Sequence, residues 1–137
     1  MKPIVACGTA NGEKLFRDHF GESPRFDLYE INVDGYHFLE KVENISKEEK
    51  EDDETHGDPE KAKSVSSLLR AKSVNVLLAH QMGPNIVRVS KTFVPIISRE
   101  VDIESALESI REKLHLVERE WRKGEERDYM VLENSGD

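Results

Sequence analysis

The chain has 137 residues, of which 35% are charged, 36% apolar and 7% aromatic, and its 20 basic against 28 acidic side chains give a formal net charge of −8. That length fits one domain able to bury a core without disulfides, and the negative balance excludes non-specific nucleic-acid binding and docking on anionic membrane, which both need a positive surface. No apolar run approaches the ~18 residues of a membrane span, and the start, Met1-Lys2-Pro3-Ile4-Val5, lacks the apolar segment of a signal peptide.

Ile4-Val5-Ala6-Cys7 is an apolar run expected to form a buried central strand, although a buried helix fragment has the same composition. Cys7 is the single cysteine, so no internal disulfide forms, which suits a reducing cytoplasm. Gly8, Asn11, Gly12, Gly21 and Pro24 mark residues 8–24 as a long loop, with one helical turn expected around Leu15-Phe16. Arg25 to Ile31 alternates with period two, and its last step breaks register. Tyr36 to Val42 reads as the returning antiparallel strand, with Val33-Asp34-Gly35 as the hairpin signal. Ser46 to Glu54 contains no apolar residue, and the whole of 46–57 reads as a mobile acidic surface loop.

Asp58 and Pro59 have the chemistry of a helix cap and a first helical position, and Ala62, Val65, Leu68 and Leu69 follow on one helical face. Val74 to Ala79 reads as a buried parallel strand. Gly83-Pro84-Asn85 opens a second helix carrying Ile86, Val87 and Val89. Phe93 to Ile97 is a third buried strand, placed at a sheet edge because Pro95 donates no ladder bond. Asp102 caps one long helix, along which Ile103, Ala106, Leu107, Ile110, Leu114, Val117 and Trp121 recur at steps of three and four, and Gly124 stops it. The remainder, 124–137, is expected to be a disordered tail after a single domain over 1–123, although Tyr129-Met130-Val131-Leu132 has the character of an added strand. Right-handed crossovers then give an α/β domain. Its mixed five-stranded sheet has the order 3-2-1-4-5, with strand 2 antiparallel and helices on both faces.

Three segments are similar to those of a known family: Asp18-His19-Phe20-Gly21-Glu22-Ser23-Pro24-Arg25-Phe26 at the end of the first loop, His56-Gly57 before the first helix, and Met82-Gly83-Pro84-Asn85 after the fourth strand. In this order, over roughly residues 1 to 115, the chain resembles the dinitrogenase iron–molybdenum cofactor biosynthesis family, also called nitrogenase accessory factor-like proteins. The resemblance implies a ribonuclease H-like three-layer fold with the strand order above. It implies binding, not catalysis, since the better-understood members carry or insert iron–sulfur–molybdenum clusters. The chain departs from the family in its longer, acidic loop before the first helix, in Ala79-His80-Gln81-Met82-Gly83 where members often have small residues or glycine, and in its extended C-terminal helix and tail. A role as a nitrogenase component therefore does not carry over.

Open α/β sheets bind ligands beyond the carboxyl ends of their strands, at the point where connections leave in opposite directions. Here that point lies between the first and fourth strands, whose ends carry Cys7-Gly8-Thr9 and His80-Gln81-Met82-Gly83. His19 and the His56-Gly57 pair are expected at the same rim. Cys7, His19 and His80 are the candidate metal ligands, because thiolate and imidazole, with the Met82 thioether beside them, suit iron–sulfur, Cu(I) or zinc chemistry. Backbone N–H groups at Gly57 and Gly83, read as helix openings, favour an anion such as a sulfide cluster, molybdate or phosphate. Each residue also has a plainer reading: Cys7 and Met82 as core, His19 as a loop brace, His56 as an exposed loop residue, His80 as a hydrogen-bonded polar ring. His37 and His115 read as structural, and no CxxC or HExxH spacing is present.

The sequence thus points to a cytoplasmic, non-enzymatic carrier of an iron–sulfur or molybdenum-containing cluster or small anion, monomeric or homodimeric, with a protein acceptor and no nucleic-acid or membrane partner. Two alternatives stay open. One is a regulatory or interaction protein without metal, using its acidic loop or tail. The other is a metal-dependent nuclease, weakened because such sites need clustered carboxylates and the first strand offers Cys7 where an acid is wanted.

Overall fold

The first apolar run forms β1 (Ile4–Thr9), which continues past its apolar residues because Gly8 and Thr9 still pair with Phe26 and Arg25 on the next strand. A computed structural model describes residues 2–44 and 59–132, with 59–63 described by their backbone alone. β2 (Arg25–Asn32) and β3 (Gly35–Glu43) form the expected hairpin, turning at Val33-Asp34 where Asn32 Oδ1 accepts the Asp34 N–H at 2.8 Å. α1 (Pro59–Arg70), β4 (Val76–Ala79), α2 (Ile86–Val89), β5 (Val94–Ser98), α3 (Ile103–Glu112), α4 (Leu114–Arg122) and β6 (Met130–Leu132) follow. The sheet order is β3-β2-β1-β4-β5-β6, with β2 antiparallel to both neighbours and the pairs from β1 to β6 parallel. The deduced order 3-2-1-4-5 stands, extended by one strand.

The sheet is covered on both faces, so its strands send apolar side chains alternately to two cores. Val5, Cys7, Val76, Leu78, Val94 and Ile96 pack under Ile103, Leu107, Ile110, Leu114 and Val117 of α3 and α4. Ala6, Phe26, Leu28, Leu77 and Ala79 pack on the other face with Val65 and Leu69 of α1. This resolves the register break in β2: Phe26 and Leu28 serve one core and Ile31 the other. The true irregularity is a bulge in the β2–β3 ladder at Leu28/Tyr29.

Four expectations are corrected. No helical turn forms at Leu15-Phe16; Lys14 and Leu15 instead make isolated bridges to Asp102 and Thr9, and a 3-10 turn forms at Phe20–Glu22. Pro95 is not at an edge, since β5 lies between β4 and β6. The Val94 N–H donates to Asn75 O on the β4 side at 2.8 Å, so Pro95 turns its donor-less nitrogen the other way, where pairing with β6 begins only at Ile96. The long helix is two helices broken at Lys113 (φ −118°, ψ 23°), with Leu114, Val117 and Trp121 beyond the break packed on the same core as Ile103, Leu107 and Ile110. The tail is not wholly free: Met130–Leu132 adds β6, with Leu132 only 1% exposed. The acidic segment 46–57 and the Asp58 cap lie outside the described residues. No described helix is long and apolar enough to cross a membrane.

Candidate functional site

β1 and β4 are parallel neighbours, with Val5, Ala6 and Cys7 opposite Val76, Leu77 and Leu78, so their carboxyl ends form a common rim. The loop after β1 is braced by its own polar groups. The Thr9 hydroxyl donates to Lys14 O at 2.6 Å and accepts the Gly12 N–H at 3.0 Å, while Asn11 Oδ1 accepts from Glu13 and Lys14 N–H at 2.9 and 3.0 Å. The loop then crosses the strand ends. Phe16 N–H donates to Gly8 O at 2.8 Å, and Leu15 N–H to Val101 O at 2.7 Å.

On its return the loop is stapled to the tip of β4 by Gln81. Gln81 Nε2 donates to Arg17 O, and Phe20 N–H donates to Gln81 O, both at 2.9 Å, with His19 bridging Gln81 between them. His19 thereby lies over Gly83. Gly83 has φ +90°, and a Cβ there would sit 2.9 Å from His19 Cγ and Nδ1. Gly8 is a second close approach, since a Cβ on it would collide with Ser23 Oγ. Ser23 is fully buried, and its hydroxyl has no hydrogen-bond partner among the described residues.

His80 follows β4 directly and is half-buried. Its Nδ1 lies 3.0 Å from Ser98 O at the tip of β5. A carbonyl only accepts, so Nδ1 carries a proton and donates it, and it is Nε2 that is left to offer a lone pair when the ring is uncharged. Ser98 is the residue that sequence reasoning missed. It contributes a backbone atom, which a side-chain pattern does not reveal, although a serine ending an apolar strand marks where the chain leaves the sheet.

His19, Gln81 and Gly83 thus meet at the rim, and His80, next to Gln81 in the chain, is turned to Ser98 at the tip of β5. Cys7 is separated from the rim: its side chain is fully buried in the core under α3 and α4, and burial, reinforced by Asp27, pushes its thiol far above the ordinary range. Met82, 9% exposed, packs with Phe20 and Ala79 on the opposite face. Gly8 and Thr9 shape the loop. Gly83 precedes a helix of only four residues, so the anion-attracting helix terminus expected there is not built. His56 and Gly57 lie outside the described residues.

Asp27, opposite Cys7 on β2, is 2% exposed and takes a two-pronged bond from Arg25, with Nε at 2.9 Å and Nη2 at 3.2 Å. That pair is structural. Among the described residues no three His, Cys, Asp or Glu side chains are grouped to hold a metal ion. The strand tips therefore carry two imidazoles, His19 and His80, each with its own protein neighbour.

None of the curated proteins compared with the chain matches it. The dinitrogenase iron-molybdenum cofactor family model does match, over residues 1–113, which include both strand tips, His19, His80 and Gly83. The chain belongs to the dinitrogenase iron-molybdenum cofactor family.

Proposed function

We propose that this protein is a carrier of an iron–sulfur or molybdenum-containing cluster, or a related anionic metal species, held at the β1–β4 rim by imidazole and passed on to a protein acceptor. Its family is associated with making or handling the iron–molybdenum cofactor. The observation that carries the reading is the orientation of His80. A histidine that binds metal through one ring nitrogen nearly always donates the other N–H to a carbonyl or carboxylate, and His80 donates to Ser98 O at 3.0 Å. His19, set against Gly83, is the second imidazole of the rim. Cys7 takes no part, because a thiolate would have to form inside an apolar core.

Two imidazoles would leave most positions on the metal open. A carrier needs this, since a closed four-ligand site retains its metal. The chain's own residues bind and orient the cargo by fixed lone pairs, and the Gln81 staple keeps the His19 loop in place. The test is anaerobic reconstitution with iron, sulfide and molybdate, read as bound metal and charge-transfer absorbance. The wild type and Cys7→Ser should load alike, and His19→Ala/His80→Ala should lose most of its load. Equal loading of the wild type and the double histidine variant would overturn the proposal.

A further inference from the structure

A second cleft, of about 580 Å³, lies between the β2–β3 hairpin, the start of α3 and residues 12–14 of the loop after β1. Its volume is in the range of small-molecule sites. Three aromatic rings line it. Tyr29 stands edge-to-face with Tyr36, centroids 6.0 Å apart at 75°, and with Phe38, 5.6 Å apart at 71°. The bulge creates this group. Leu28 pairs with Glu40 but Tyr29 with Phe38, so Leu39 is skipped, and Phe38 and Tyr36 move to the face that Tyr29 occupies. Phe38 is 47% exposed, so the group is open to solvent and not a closed core.

The charge around the rings is negative. Glu13, Asp102 and Glu104 line the cleft, against the imidazole of His37 and one lysine, Lys14, which already pairs with Asp102 at 3.7 Å. The positive end of α3 is met by Asp102, which accepts the Ser105 N–H, and by Glu104 in the first turn. Both phenols stay neutral at physiological pH. Burial and nearby negative groups push Tyr29 up to about 12, and burial with Glu104, Glu108 and Asp102 raises Tyr36. Aromatic faces attract cations through their quadrupole, and carboxylates at the rim add to that attraction. An anion would meet three carboxylates, and a neutral apolar ligand would strip water from them without compensation.

We propose that this cleft binds a small organic cation of the alkylammonium or quaternary ammonium class, with Tyr29, Tyr36 and Phe38 supplying ring surface and Glu104 a carboxylate not held in an ion pair among the described residues. The test is an amide NMR titration of the full chain with choline and with its neutral isostere 3,3-dimethylbutan-1-ol, at constant ionic strength. Choline should give saturable shifts confined to residues 12–14, 36–38 and 102–104, and the alcohol should bind at least about tenfold more weakly. Phe38→Ala and Glu104→Gln should each weaken choline by about three- to tenfold, while Phe38→Trp should match or strengthen it. Both positions are exposed, so an unchanged melting curve will show that the variants stay folded. Equal response to choline and the alcohol, no saturable shift, or indifference to both Phe38→Ala and Glu104→Gln would overturn the proposal.

Discussion

Gly83→Ala tests how the His19 loop is held. Gly83 sits at φ +90°, where a residue with a side chain costs about 1–2 kcal/mol more than glycine. The added methyl would also lie 2.9 Å from two atoms of the His19 ring and 3.3 Å from its Cβ, so the ring must move. Overpacking of that kind costs about 1–3 kcal/mol, giving a total of about 2–5 kcal/mol. In urea, with a slope of about 1–3 kcal/mol per molar, the midpoint should fall by about 1 M or more at unchanged slope. The two contributions separate in a double-mutant cycle. In a His19→Ala background the ring is gone, and Gly83→Ala should cost only its backbone share of about 1–2 kcal/mol, a coupling of about 1–3 kcal/mol. If Gly83→Ala costs the same in both backgrounds, within about 0.5 kcal/mol, His19 does not rest on Gly83 and the rim is wrongly described.

Leu132→Ala should destabilise by about 2–5 kcal/mol in chemical unfolding, because the side chain is 1% exposed; a disordered tail would give no change. Cys7 should resist thiol reagents in the native protein and react only on unfolding. Burial holds the folded thiol well above the ordinary cysteine range, so the unfolded chain loses its proton first; stability is intact below about pH 9 and falls as pH rises above it. Between about pH 9 and 10, below the range where the raised phenols of Tyr29 and Tyr36 add slopes of their own, that slope of about 1.4 kcal/mol per pH unit should be lost in Cys7→Ala. Asp27→Ala should cost about 3 kcal/mol and be nearly insensitive to salt, since it strands the Arg25 guanidinium, whose side chain is 19% exposed; a loss below about 0.5 kcal/mol would place the pair with weak surface bridges.

The sheet was legible because its signals are local and repeated. Apolar runs at 4–7, 74–79 and 93–97 gave three buried strands, the 33–35 turn gave the hairpin, and crossover handedness gave the order. Asp102 was legible as a cap because its side chain has one partner at a fixed offset, Ser105 N–H at 3.1 Å. What failed depended on the neighbours. Pro95 reads as an edge residue until one sees that its bare nitrogen faces a stretch β6 has not reached. The helix break at Lys113 leaves no mark on a periodicity that continues through it.

The candidate site was legible in place but only partly in membership. Adjacent strand tips followed from topology, yet which face each side chain takes depends on the parity of its strand and on what covers that face. Cys7 fell beneath α3 and α4, and Met82 joined the opposite core. His80 remained because it lies one residue past β4, where a backbone carbonyl of the next strand is within reach. The aromatic cleft was invisible, since it depends on a bulge that shifts β3 by one residue against β2.

The nitrogen signals of the His80 ring, read by long-range ¹H–¹⁵N NMR before and after anaerobic loading with iron, sulfide and molybdate, give the most direct test of metal capture at the rim. The geometry predicts protonated Nδ1 and bare Nε2 in the unloaded protein, with Nε2 shifted or broadened on loading while Nδ1 keeps its proton. A proton on Nε2 before loading, or a ring that loading leaves untouched while metal is bound, would contradict it.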